Sequence, residues 1–210
     1  DGAGGYLNTY VKMQFLQLNN VRATKNIEVA WNQVVNEPGK SRVEDNINLY
    51  LTSGTADSPI RIHDNYVQGA YPADPASSSF SGGGIIVDGG TANLPEAAGF
   101  VQIHGNQVVG TSNHGIAIAA GHDIDIRNNR TISSGKLADG SQIGAANVGS
   151  YVSNGYRVPG TFFNNVVTAN TIGWMNAAGK LNNTWFPDCP GTNCQGNSLL
   201  GATVTPAMEA

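Results

Sequence analysis

Residues 84–132 decide the reading. Gly84-Ile-Ile-Val-Asp-Gly89 is followed, after a loop, by Val101-Gln-Ile-His-Gly-Asn106-Gln-Val108. Both phrases return in compressed form, as Gly115-Ile-Ala-Ile-Ala-Ala-Gly121 and Ile124-Asp-Ile-Arg-Asn-Asn129. Two phrases repeated in one order, with Asn106 and Asn129 separated by 23 residues, read as coils of a parallel β-helix.

Working outward, the second phrase can be laid along the chain: apolar, spacer, apolar, two spacers, Asn, spacer, apolar. It fits Ile27, Val29, Asn32, Val34; then Ile60, Ile62, Asn65, Val67; then Val101, Ile103, Asn106, Val108. A fourth copy is Ile124, Ile126, Asn129 with Thr131 last, and a fifth has Asn165 in its first apolar slot before Val167, Asn170 and Ile172. Apolar residues at period two put one face of a strand inward. Asparagine tolerates left-handed backbone angles and suits the bend after that strand. Stacked coils stack these asparagines, each amide able to donate to the next. A second kind of strand recurs between the copies, at Ile47-Asn-Leu49, Ile85-Ile-Val87, Ile116-Ala-Ile118 and 148–152. Each coil therefore reads as strand, turn, strand, Asn bend, short strand, long turn. The asparagines are spaced 33, 41, 23 and 41 residues apart. The extra length falls in 36–45, 69–83 and 133–146, which hold Pro, Gly, Ser and Asp as surface loops do. A β-sandwich would instead need tight hairpin turns between strands, and most coils lack them.

The predicted fold is thus all-β, a single-stranded right-handed parallel β-helix of about five coils over residues 15–174, with long loops on one side. Residues 1–14 read as a partial N-terminal segment. Residues 175–210 read as a C-terminal cap and tail that covers the last coil's edge.

Composition bounds the function. The 210 residues are 12% charged with a formal net charge of −4, against the basic stripe that nucleic acid demands. No apolar run approaches the roughly 18 residues of a membrane span. Cys189 and Cys194, in Cys189-Pro-Gly-Thr-Asn-Cys194, are expected to close a small disulfide loop, which fits an exported, extracellular or cell-surface protein. Free thiols are the alternative, and zinc is disfavoured by two thiols with no histidine beside them.

The repeated phrase, with Asn32, Asn65, Asn106, Asn129 and Asn170, resembles the right-handed parallel β-helix proteins of the pectate-lyase-like superfamily. Trp31-Asn-Gln-Val-Val and Ser81-Gly-Gly-Gly-Ile-Ile-Val-Asp carry the same resemblance. That superfamily hosts lyases, hydrolases, epimerases, phage adhesins and structural proteins, so the resemblance implies a fold and leaves the activity open.

Stacking turns the sequence into outward columns. One is Glu28, Arg61, Gln102, Asp125; the next is Ala30, His63, His104, Arg127. His63, His104 and Arg127 are the candidate catalytic set, histidine as proton acceptor and arginine as a uronate clamp, with Arg61 and Asp125 as candidate substrate contacts. A solvated polar face with cross-strand pairing is the plainer reading, and like charges there would depress the histidines. The resemblance implies a cleft on the first strand's outer face, with clustered carboxylates for calcium and a basic residue as proton acceptor. The matching positions are Asn48, Ile86, Ala117, Tyr151 and then Tyr50, Asp88, Ala119, Ser153. With Asp88 the one carboxylate, calcium is not supported and no cofactor is expected. Tyr50, Asp88 and Tyr151 remain candidate substrate contacts. Ile86 and Ala117 predict an apolar outer strip, either covered by the loops or open to a partner. His114, His122 and Asp123 raise the thought of a metal, weighed against local turn bonding. Asn182-Asn-Thr184 fits a glycosylation pattern.

Two functions compete. One is an exported protein that binds or processes a polysaccharide on its long-loop side, as a lyase, epimerase or hydrolase if it is catalytic. The other is a non-catalytic structural, filament or adhesin module that self-associates through an open helix end or the outer strip. A fragment of a larger enzyme is a third reading.

Overall fold

The computed structural model describes residues 2–3 and 13–209, so most of the N-terminal segment 1–14 lies outside the described residues. The chain winds through three parallel sheets. The first sheet holds Leu16–Asn19, Asp45–Tyr50, Gly83–Asp88, His114–Ile118, Val148–Val152 and Thr184–Trp185. The second holds Glu28–Ala30, Ile60–His63, Gly99–His104, His122–Arg127 and Val166–Thr168. The third holds Gln33–Val35, Tyr66–Ala70, Gln107–Thr111, Arg130–Ser133, Thr171–Trp174 and Ser198–Leu199. Each strand pairs in parallel with its counterparts one coil away, which is the parallel β-helix expected from the repeat. Thr184–Trp185 and Ser198–Leu199 carry two of the sheets into the segment beyond residue 174.

The inward columns are the apolar slots of the repeat. Ile47, Leu49, Ile60, Ile62, Ile85, Val87, Val101, Ile103, Ile116, Ile118, Ile124 and Ile126 form one continuous core. Burying each such side chain contributes about 1.5–3 kcal/mol. Cys189 and Cys194 form a disulfide, and both pack with Phe162 and Phe186 against this core. The long inserts have a small core of their own, where Leu137 packs on Tyr71, Ile143 and Ala146.

The asparagine ladder runs the length of the coil. Each Nδ2 donates to the next Oδ1 at 2.8 or 2.9 Å, from Asn32 through Asn65, Asn106, Asn129 and Asn170 to a sixth rung, Asn197. The backbone N–H of each of these five donors reaches the same oxygen at 3.0 or 3.1 Å. Asn165, in the fifth copy's irregular slot, is buried and bonds instead to Ile124 N–H and Gly121 carbonyl.

The bend itself corrects the sequence reading. The left-handed residue is not the ladder asparagine but the one before it: Trp31, Asp64, Gly105, Asn128, Ala169 and Gly196 all have φ between 53° and 75°. Asparagine is kept for its amide, and the conformational cost falls on its neighbour. A left-handed L-residue costs roughly 1–2 kcal/mol. Ala169 is exposed at such a bend. Ala169→Gly is therefore expected to raise stability by about 0.5–1 kcal/mol, after allowing for glycine's greater freedom in the unfolded chain. Equilibrium urea unfolding checks this, and a lower midpoint for the variant would refute it.

Candidate functional site

Two outer faces carry the residues singled out from sequence. On the second sheet, Glu28 pairs in register with Arg61, and Ala30 with His63. His63 pairs with His104, and His104 with Arg127. The register thus brings the candidate catalytic set together. The two imidazoles stack face to face, with centroids 4.8 Å apart and planes 6° from parallel.

The hydrogen bonds separate the roles of these three residues. His63 Nδ1 lies 2.8 Å from Asp64 Oδ2, and its Nε2 lies 2.8 Å from Glu28 Oε1. Ionised carboxylates only accept, so both bonds form together only with the ring protonated, and in that state it has no lone pair left to take a proton. Asp64 first and Glu28 second hold the His63 pKa above its ordinary value. The same histidine, with Arg61 3.2 Å away, holds the Glu28 carboxyl below its usual range. His104 goes the other way: burial first, then the charge of His63, push its pKa down. Arg127 is tied to Asp125 by two bonds, from Nε at 2.7 Å and from a second guanidinium nitrogen. Among the described residues His104 is the one member of the set whose ring nitrogens have no partner. It borders a small cleft of about 130 Å³ with Gln102, Asp125 and Arg127. The face is a charge-compensated array in which His104 is the imidazole whose charged form is disfavoured. The expected like-charge depression holds for His104 and fails for His63, whose carboxylate clamp includes Asp64 at the bend.

On the first sheet, Tyr50 and Asp88 are neighbours in register, and Tyr151 lies in the adjacent outward column beside Ala117. The outer apolar strip is covered and offers no surface for self-association: Ile86, Ala117 and Ala119 are 5%, 0% and 9% exposed. Tyr151 packs on them. The following turn folds over the same face, with Gly155 N–H on Ala119 carbonyl and Tyr156 hydroxyl donating to Asp88 Oδ1 at 2.9 Å. Gly90 leaves the space that the Tyr156 ring occupies, since a Cβ there would come within 2.3 Å of it.

Beside that cover, toward the long-loop corner, a groove of about 550 Å³ opens. Phe80, Asn113, Asn147, Val148, Tyr151, Asn182 and Trp185 line it. Phe80 and Trp185 are 72% and 54% exposed, and Trp185 lies 6.2 Å from the Tyr151 ring. The sequence reading named Tyr151 as a substrate contact, Asn182 as a glycosylation candidate and Val148 within a strand, and passed over Phe80, Asn113, Asn147 and Trp185. Asn113, Asn147 and Phe80 sit in turns, where period two gives no signal, and Trp185 lies in a two-residue strand.

His114 and His122 do not converge. His114 is buried beside Tyr151, 3.7 Å from Asp45 Oδ1, and burial lowers its pKa to about 4. His122 bonds Asp123 at 2.7 Å and stacks on Phe163. Among the described residues no three His, Cys, Asp or Glu side chains cluster as a metal site. Asn182 is half-buried and donates to Asn147 carbonyl at 2.8 Å. No described helix is long and apolar enough to cross a membrane. The chain matches no family model, and no curated protein or solved structure matches it.

Proposed function

We propose that the protein is an exported β-helix of the pectate-lyase-like kind that binds a polysaccharide along the first-sheet groove. One observation carries this reading. A half-exposed tryptophan stands beside a tyrosine over a groove otherwise lined largely by side-chain amides. Aromatic faces stack on sugar rings, and planar amides both donate to and accept from hydroxyls. The disulfide supports export.

Processing at the second-sheet face is the second reading. It is favoured by the unpartnered ring of His104 over its small cleft. Against it, His63 and Arg127 are already engaged, so an incoming uronate has to displace Asp125 to reach the guanidinium.

The deciding experiment is calorimetric binding to a panel of pectate, alginate, glycosaminoglycans and neutral plant glycans, followed also for new reducing ends and for unsaturated products. Trp185→Ala is expected to weaken binding about tenfold, the scale of one lost aromatic stack in a desolvated site, while the melting temperature stays near the parent's. Equal binding by parent and variant would sink the groove. Silence on every glycan would sink the polysaccharide reading. It would turn attention to the exposed Met13, Phe15, Trp31 and Val35 of the first coils as an assembly surface.

A further inference from the structure

The lining of the groove narrows the class of sugar it can take, an inference that rests on the glycan-binding reading. Asn113, Asn147 and Asn182 stand on three successive coils of the first sheet. Asn147 Nδ2 donates to Asn113 Oδ1 at 3.3 Å, and Asn182 Nδ2 donates to Asn147 backbone carbonyl at 2.8 Å. The carbonyl partner fixes which way the Asn182 amide faces, since a carbonyl only accepts. Asn113 Nδ2, Asn147 Oδ1 and Asn182 Oδ1 then have no partner among the described residues. Each amide nitrogen carries two hydrogens and the bonds above use one each, so the row keeps free N–H groups on all three asparagines beside the two Oδ1 acceptors.

Aromatic rings stand at both ends of this row. Phe80 precedes the coil before Asn113, and Trp185 belongs to the coil of Asn182. The three amides span two coil spacings of about 4.8 Å, roughly 10 Å in all. One coil rise is close to the advance of one sugar ring in an extended chain, so successive rings meet successive coils.

The charge pattern selects among glycans. No charged side chain lines the groove. A sugar hydroxyl satisfies a donor or an acceptor alike, but a carboxylate only accepts. Opposite Asn147 Oδ1 or Asn182 Oδ1 a carboxylate sets acceptor against acceptor, and opposite the amide nitrogens it meets neutral donors with no cation to offset its lost hydration. Asp88 and Asp45 are close enough to help burial push the Tyr151 hydroxyl upward in pKa, so the floor of the groove feels their negative charge.

From this arrangement we infer that the groove takes an uncharged, extended glycan lying along the helix axis, its rings on Phe80 and Trp185 and its hydroxyls on the three amides between. Acidic glycans are disfavoured by a lining that holds no cation and by the nearby carboxylates.

The test is calorimetry on the full chain with linear neutral hexasaccharides (gluco-, xylo- and manno-configured) and an oligogalacturonate of equal length. At least one neutral chain is expected to bind, with the oligogalacturonate at least about tenfold weaker, as for a buried polar group left unmet. Phe80→Ala removes an exposed ring and is expected to weaken the neutral ligand several-fold with the melting temperature unchanged. Asn182→Arg is expected to narrow or reverse the preference by offering the uronate a cation. Oligogalacturonate binding as tight as the best neutral chain, and lost in Trp185→Ala, would overturn this inference and leave the glycan reading standing. Absence of binding to both classes would remove the reading and this inference with it.

Discussion

Asn106→Ala is expected to lower the stability of the protein by about 3 kcal/mol, as several buried groups lose a partner at once. The side chain is 1% exposed. Its Nδ2 donates to Asn129 Oδ1, Ile62 carbonyl and His104 carbonyl at 2.9, 2.9 and 3.1 Å. Its Oδ1 accepts from the backbone N–H and Nδ2 of Asn65 at 3.1 and 2.9 Å. Alanine leaves the Asn65 backbone N–H without this acceptor at a corner where Asn65 and Asn106 are both buried. At about 2–4 °C per kcal/mol for a chain of this size, the melting temperature should fall by roughly 6–12 °C. Asn32→Ala, at the outermost rung, should cost much less, because that amide is half-buried and accepts from no described residue. Thermal unfolding of both variants checks the pair. Equal small losses would show that the ladder is a geometric by-product of stacking, with little part in holding the coils.

Gly115→Val should be more damaging still, with an expected loss above about 4 kcal/mol and mostly insoluble product. Gly84, Gly115 and Gly149 occupy one column where the long turn enters the first sheet. A Cβ on Gly115 would sit 2.4 Å from Gly149 carbonyl oxygen and 2.9 Å from Thr131 Cβ. A Cβ on Gly84 would sit 2.3 Å from Gly115 carbonyl oxygen. The obstacle is the backbone of the next coil, which cannot rotate aside as a side chain can. Gly201→Ala is the matched control, with nothing within 4 Å of the added carbon. Soluble yield and the urea midpoint of the two variants separate the cases. A Gly115→Val protein with the parent's midpoint would mean that the corner is far looser than its contacts imply.

The fold was legible because burial at period two leaves a mark on every strand. Ile60, Ile62, Val101, Ile103, Ile124 and Ile126 could be aligned by eye, and the alignment set the register of the second sheet residue for residue. That register alone placed His63 against His104. What it could not set was local geometry. Asp64 clamps His63 from a left-handed bend, a position outside the alternating pattern. The sixth rung, Asn197, precedes a strand of only two residues, Ser198–Leu199, too short to show a period. The cover over Ile86 and Ala117 comes from Tyr151 and the turn holding Tyr156, and turns carry no periodic signature. The groove was hidden for the same reason. Its amides lie where the long inserts rejoin the sheet, in turns that carry no period.

The ladder has a direction. From Asn32 to Asn170 each rung donates to the next coil toward the C-terminus, and the five bonds all run the same way along the axis. Such a row is vectorial: each bond polarises the next, and inner rungs gain most from the alignment. The two ends of the stack are consequently unlike. The Asn32 end presents a carbonyl oxygen that welcomes a donor. At the Asn197 end the amide nitrogen bonds the Val167 carbonyl at 2.9 Å, as the inner rungs bond the coil before them, and among the described residues it has no further rung to donate to. A coil laid against the first end extends the row only if it brings an N–H, and the same coil inverted would meet oxygen with oxygen. The molecule thus has a grain, set by a side chain repeated six times, that distinguishes head from tail.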